Sequence, residues 1–150
     1  MENLIVPRSV IGDVRASEAE SKMIAYLGHE SIPIREENDL KDVLNRRDRK
    51  NGLEVWFSES PNSFPCIAVR ISPPWCDILF FPHDGHPGFR CLSNDVLDEG
   101  ETMFLWQGCD PGDGELVPNE FVLPVDDAHD ILWHCMIDRV PSTTRRWHEL

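Results

Sequence analysis

The sequence predicts an α+β domain with a central antiparallel sheet of about six strands and two main helices. Three observations carry that expectation. β-rich runs follow one another across short Pro- and Gly-containing breaks, only two segments repeat apolar residues strongly at helical spacing, and strands and helices do not alternate as parallel βαβ units require.

Taken in order, residues 1–21 are weakly patterned and form an N-terminal extension in which Ser17 and Glu20 have the spacing of a capping box. The domain proper spans 22–150. Met23-Ile24-Ala25-Tyr26-Leu27 and Ile32-Pro33-Ile34-Arg35 flank a Gly28-containing turn. They predict a hairpin with Gly28 at positive φ and Pro33 on an edge, where its missing N–H costs no ladder bond. From Asn38 to Arg49, Leu40, Val43 and Leu44 recur at i, i+3, i+4. Asn38 is a candidate cap, and basic residues come late, where the helix dipole favours them. Leu53–Phe57, Cys66–Ile71 and Asp77–Phe81 are β-rich and separated by Pro61-Asn62-Ser63 and Pro73-Pro74. Phe89–Leu92 and Thr102–Gln107 supply two further strands, and Gly108–Gly114 is turn-rich, with Gly112 and Gly114 as turn glycines. A short strand Phe121-Val122-Leu123 ends at Pro124. A helix over Asp126–Ile137 gathers Ala128, Ile131, Leu132 and Cys135 on one face, and Thr143–Leu150 closes the fold as a strand containing Trp147, a packing residue.

A chain of 150 residues is long enough to bury one core without metal or disulfide staples. Five cysteines, Cys66, Cys76, Cys91, Cys109 and Cys135, are an odd number with no C-x-x-C pair, which predicts reduced, packed thiols. The N-terminus has neither a basic start nor an apolar stretch of secretory length, and no run reaches the roughly 18 to 20 apolar residues of a membrane span. A cytoplasmic location with no membrane partner is the expectation.

Catalytic and cofactor chemistry finds little support. His83-Asp84-Gly85-His86 brings two imidazoles and a carboxylate near one another, with Cys76 and Cys91 not far along the chain, but no spacing supplies four metal ligands. The G-x-S-x-G elbow is absent, and His134 and Cys135, adjacent on a helix, point about 100° apart and cannot act as a pair. Phosphate-cradling glycine loops are also missing. Asp98 and Glu99 lie in a polar loop rather than a cleft suited to acid–base work. The expectation is a protein that is not an enzyme and carries no cofactor or metal. A small hydrolase using His83, Asp84, His86 or Asp98 is the weaker alternative.

Charge is the strongest functional signal. Between Asp84 and Asp130 lie twelve acidic side chains and one basic one, Arg90, so the segment holds 12 − 1 = 11 of the 13 excess negative charges. Direct nucleic-acid binding is disfavoured, whereas encounter with a basic protein is accelerated. Acid runs are usually solvated loops, but here they are interleaved with Phe89, Phe104, Trp106 and Phe121, and an exposed aromatic amid acids is a typical interface anchor. The candidate partner-binding residues are Phe89 and Trp106, the loop acids Asp95, Asp98, Glu99 and Glu101, and Asp84, Asp110, Asp113 and Glu115 as charged contacts, the last three steering approach.

With these residues in view, residues 22–150 resemble the first family of immunity proteins from bacterial polymorphic toxin systems. The likeness lies in the helix Asp39–Leu44 after a hairpin, Leu79-Phe80-Phe81-Pro82 running into Asp84-Gly85-His86-Pro87-Gly88-Phe89, Gly100-Glu101-Thr102, Val117-Pro118-Asn119-Glu120, the helix after Pro124, and Trp147-His148-Glu149-Leu150. Residues 1–21 fall outside it, and Asn38–Asn51 is more basic than the family pattern. The resemblance implies a small cytosolic α+β protein that binds and blocks a cognate toxin domain, with nucleic-acid deaminases prominent among such toxins. The rival expectation is an adaptor domain for some basic host protein.

Overall fold

The computed structural model describes residues 22–46, 52–94, 99–104 and 114–150. The expected hairpin is present: β1 (Met23–Leu27) and β2 (Glu30–Ile34) pair antiparallel, with Gly28 at φ 55° in the turn. α1 (Glu37–Leu44) follows. β3 (Leu53–Ser58), β4 (Cys66–Ser72) and β5 (Trp75–Phe81) form the meander, and β6 (Phe89–Cys91) extends it. After β7 (Glu101–Phe104) and β8 (Glu115–Pro118) come a 3-10 turn, the short β9 (Leu123–Pro124), α2 (Ala128–Asp138) and β10 (Trp147–Glu149). The main sheet has eight strands in the order β10-β6-β5-β4-β3-β1-β2, with β9 on β5, while β7 and β8 form a separate two-stranded sheet. β2 is an edge strand, so Pro33 sits where its missing N–H is harmless.

Several boundaries differ from the sequence reading. α1 begins before Asn38, because the Asp39 carboxylate accepts the N–H groups of Arg35 and Glu36 at 2.8 and 3.1 Å and fixes the helix start at Glu36. Phe121 closes a 3-10 turn, Asn119–Phe121, rather than opening a strand, and β9 keeps only two residues. β8 was not expected as a strand at all. The capping-box residues Ser17 and Glu20 and the far end of the Asn38–Arg49 segment lie outside the described residues.

Alternation gives the main sheet two different faces. On the front, Leu53, Val55, Phe57, Ile67, Val69, Ile71, Cys76, Ile78 and Phe80 pack with Leu40, Val43 and Leu44 of α1 and Ala128, Ile131, Leu132, Cys135 and Met136 of α2 in one continuous core. α2 ends at Arg139, which takes φ 60° and donates its N–H to Cys135 O at 2.9 Å. On the back, strand register lines up Glu54, Arg70 and Asp77 in one row and Tyr26, Trp56, Ala68, Leu79, Arg90 and His148 in the next. A second cluster, Phe104, Val117, Phe121 and Val122 with Leu92, lies under the β7–β8 sheet. Among the described residues no helix is long and apolar enough to cross a membrane.

Candidate functional site

The back face is organised by one buried charge. Asp77 is fully buried, and its Oδ1 accepts Arg90 Nε at 2.9 Å while its Oδ2 accepts Arg90 Nη2 at 2.8 Å and Arg70 Nη2 at 2.7 Å. Arg70 reaches onward with Nη1 to Glu115 of β8 at 2.5 Å, and the Arg90 guanidinium lies 4.7 Å from the centre of the Phe121 ring. Burial works against the charge of Arg70, but its hydrogen bonds and attraction to Glu115 and Asp77 outweigh it and raise its pKa. The same bond holds the Glu115 carboxyl below the usual carboxylate range, against the smaller opposing effect of partial burial. Asp77, Arg70 and Arg90 thus fasten the β7–β8 sheet over one end of the back face.

The orientation of that sheet follows from its register. Phe104 pairs with Glu115 and Thr102 with Val117, and these four turn inwards. Met103 pairs with Leu116 and Glu101 with Pro118, and these turn outwards. Met103 is 47% exposed and Leu116 50%, although they are directly opposed apolar side chains. Glu99, Glu101 and Glu120 are exposed and have no ion-pair partner among the described residues. Five of the described arginines are instead paired within the chain: Arg70 and Arg90 with Asp77, Arg145 with Asp127 at 2.6 Å, Arg139 with Glu59 at 3.0 Å and Arg46 with Glu30. The surface left over is acidic around an apolar pair.

The candidate residues read from the sequence fall in three groups. Glu99 and Glu101 stand exposed at the start of this sheet, and Glu115, bonded to Arg70, is exposed as well. Asp84 is exposed on the β5–β6 loop. Phe89 is not an exposed anchor: its ring is half-buried against the main core and stacks on His86, with centroids 4.9 Å apart. Asp95, Asp98, Trp106, Asp110 and Asp113 lie outside the described residues, as does Cys109. Met103 and Leu116 were missed, although each sits in a four-residue strand that opens with a Glu, and so was Asp77, a lone charge inside Trp75-Cys76-Asp77-Ile78-Leu79-Phe80-Phe81.

The loop 83–88 does structural work. His86 Nδ1 accepts the Gly88 N–H at 2.8 Å, which leaves Nε2 to carry the proton shared with Glu149 of β10 at 2.8 Å, and His83 packs edge-on at 5.3 Å. Gly88 has φ 107°, and a Cβ there would stand 2.8 Å from the Phe81 ring. Leu150 N–H bonds Gly88 O, so the terminal strand is tied to this loop. Both nitrogens of His86 are occupied, and among the described residues no three His, Cys, Asp or Glu side chains gather as a metal site. Trp147 packs against the core and donates its indole N–H to Ser142 O at 2.9 Å. The Cys76, Cys91 and Cys135 thiols are buried and free, and burial pushes Cys91 and Cys135 up to about 12, so they are poor nucleophiles at neutral pH.

Compared with models of known protein families and with curated proteins, the chain matches none. The functional argument therefore rests on the surface itself: an outward apolar pair, acids without ion-pair partners among the described residues, and a buried ion cluster beneath the same sheet.

Proposed function

We propose that the chain is an immunity protein, which binds a cognate bacterial toxin domain and blocks it by covering its active site. The observation that carries this reading is the exposed Met103–Leu116 pair beside Glu99, Glu101 and Glu120 on a sheet tethered through Arg70 and Asp77. Apolar anchors supply most of the affinity of an interface, while a surrounding acidic rim raises the association rate and rejects acidic partners. The partner chemistry that fits is a basic protein. Toxins that act on nucleic acid, deaminases among them, need positive charge around the groove that receives phosphates, and an acidic cover can occupy that groove without itself carrying out any chemistry. The resemblance of residues 22–150 to the immunity family supports the same reading.

The test is co-purification with the product of the neighbouring upstream gene, followed by an activity assay of that product with and without the chain. A stoichiometric complex that abolishes activity is expected. Met103→Ser with Leu116→Ser should weaken binding roughly a hundredfold or more, since each buried apolar side chain contributes about 1.5–3 kcal/mol. Glu99→Lys with Glu101→Lys should slow association and flatten its salt dependence. Affinity and salt dependence unchanged in both variants would sink the proposal. Binding without inhibition would favour an adaptor role.

A further inference from the structure

We propose that Trp56 and Glu54, on the part of the back face that the β7–β8 sheet leaves open, form a docking point for one cationic side chain, an arginine or lysine, of the protein partner. This deepens the reading that the partner is basic, and rests on it. The Trp56 indole is 40% exposed, large for an aromatic ring in the middle of a sheet row. Its ring is braced by Phe81, stacked with centroids 5.8 Å apart and planes 18° from parallel. Its Nε1–H donates to Glu54 Oε2 at 3.1 Å, so the carboxylate is held at the edge of the ring rather than swinging free. A groove of about 830 Å³ opens beside them, lined also by Tyr26, Glu30 and Arg46.

That arrangement has the two parts an arginine or lysine needs: an aromatic face that attracts a cation through its quadrupole, and an anion fixed at the rim of that face. Among the described residues, the cations nearest to this point are already engaged. Arg46 bonds Glu30, and Arg70, which stands across the strand pair from Glu54, turns its guanidinium to Asp77 and Glu115. Glu54 makes no ion pair among the described residues. A net charge of −13 supplies the long-range complementarity for a basic visitor. The exposed indole thus has a use that core packing does not give it.

Heteronuclear NMR that follows the Trp56 indole N–H tests this without any toxin. The probes are three blocked tripeptides with a central arginine, citrulline or leucine. The arginine peptide is expected to shift the Trp56 signal saturably while the indole signals of Trp133 and Trp147 stay in place. Citrulline, of the same shape without the charge, should bind about two- to fivefold more weakly, the scale of an exposed cation–π contact. Glu54→Gln keeps the acceptor for the indole N–H and should weaken the arginine peptide about threefold, the scale of one exposed ion pair. An absent or unsaturable shift, or an equal response to citrulline or leucine, overturns the proposal. Because the probes contain no toxin, the result is separate from whether the neighbouring gene product binds at Met103 and Leu116.

Discussion

The two faces of the main sheet meet burial in opposite ways. The front is apolar where the helices cover it, and α1 and α2 seal it with Leu40, Val43, Ile131 and Leu132. Its stability is non-directional and grows with area removed from water. The back carries Glu54, Arg70, Asp77 and Arg90 in adjoining rows and is covered at one end by a small sheet that can sit in only one pose if Arg70 is to bond Asp77 and Glu115 together. A buried ion cluster adds little net stability, because desolvation offsets the attraction, but it rejects poses that leave a charge unpaired. The front therefore holds the domain folded, and the back holds the β7–β8 sheet in register.

The largest effects should come from breaking each face at its centre. Asp77→Ala strands two guanidiniums against a buried site and is expected to lower unfolding free energy by about 3–5 kcal/mol in a urea titration. Leu132→Ala, a cavity on the front, should cost about 2–5 kcal/mol. The contrast lies in the rescue. Replacing the whole cluster by Arg70→Met, Asp77→Leu and Arg90→Met should recover most of the loss while weakening partner binding, because the β7–β8 sheet loses its tether. Failure of that triple variant to regain stability would show that the cluster holds the fold together and does more than position the hairpin.

A smaller effect separates the tether from the cluster beneath it. Glu115→Gln should cost at most about 1 kcal/mol at pH 7, since the Glu115 side chain is 49% exposed and its ion pair is screened. The sign with pH is fixed by the lowered folded-state pKa of Glu115. Its stabilisation is present above the unfolded value of about 4.3 and is lost as pH falls through the lower folded value. The gap between Glu115→Gln and the natural chain should thus close on acidification, as read by unfolding at pH 7 and near pH 3. The smallest effect on stability belongs to Met103→Ser and Leu116→Ser, within about 0.5 kcal/mol each because both are half-exposed, although the same pair carries the largest predicted loss of binding.

Much of the fold was legible because the front face repeats simple rules. The β1–β2 turn at Gly28, the meander from Leu53 to Phe81 and the apolar stripe Ala128, Ile131, Leu132, Cys135 each follow from local period and turn chemistry, and the structure has them all. The back face was less legible because its logic is non-local. Asp77 is explained only by arginines seven residues before and thirteen after it, on neighbouring strands. β8 was hidden because Pro118 and Asn119 read as a turn and four residues are too few to show a period. Phe89 looks like a surface group by composition, yet it stacks on His86 and packs half-buried against the core.

The excursion from β6 to β9 leaves and rejoins the main sheet at neighbouring points, where Ser93 N–H bonds Glu120 O at 2.7 Å. Its ends are thus neighbours in space, and lengthening the chain between them costs little closure entropy, about 0.6 kcal/mol for each doubling. Nothing in the helix-covered core depends on which side chains stand at 103 or 116. Such a frame separates the β7–β8 strands from the folding core, so their outward side chains can be exchanged without refolding the protein.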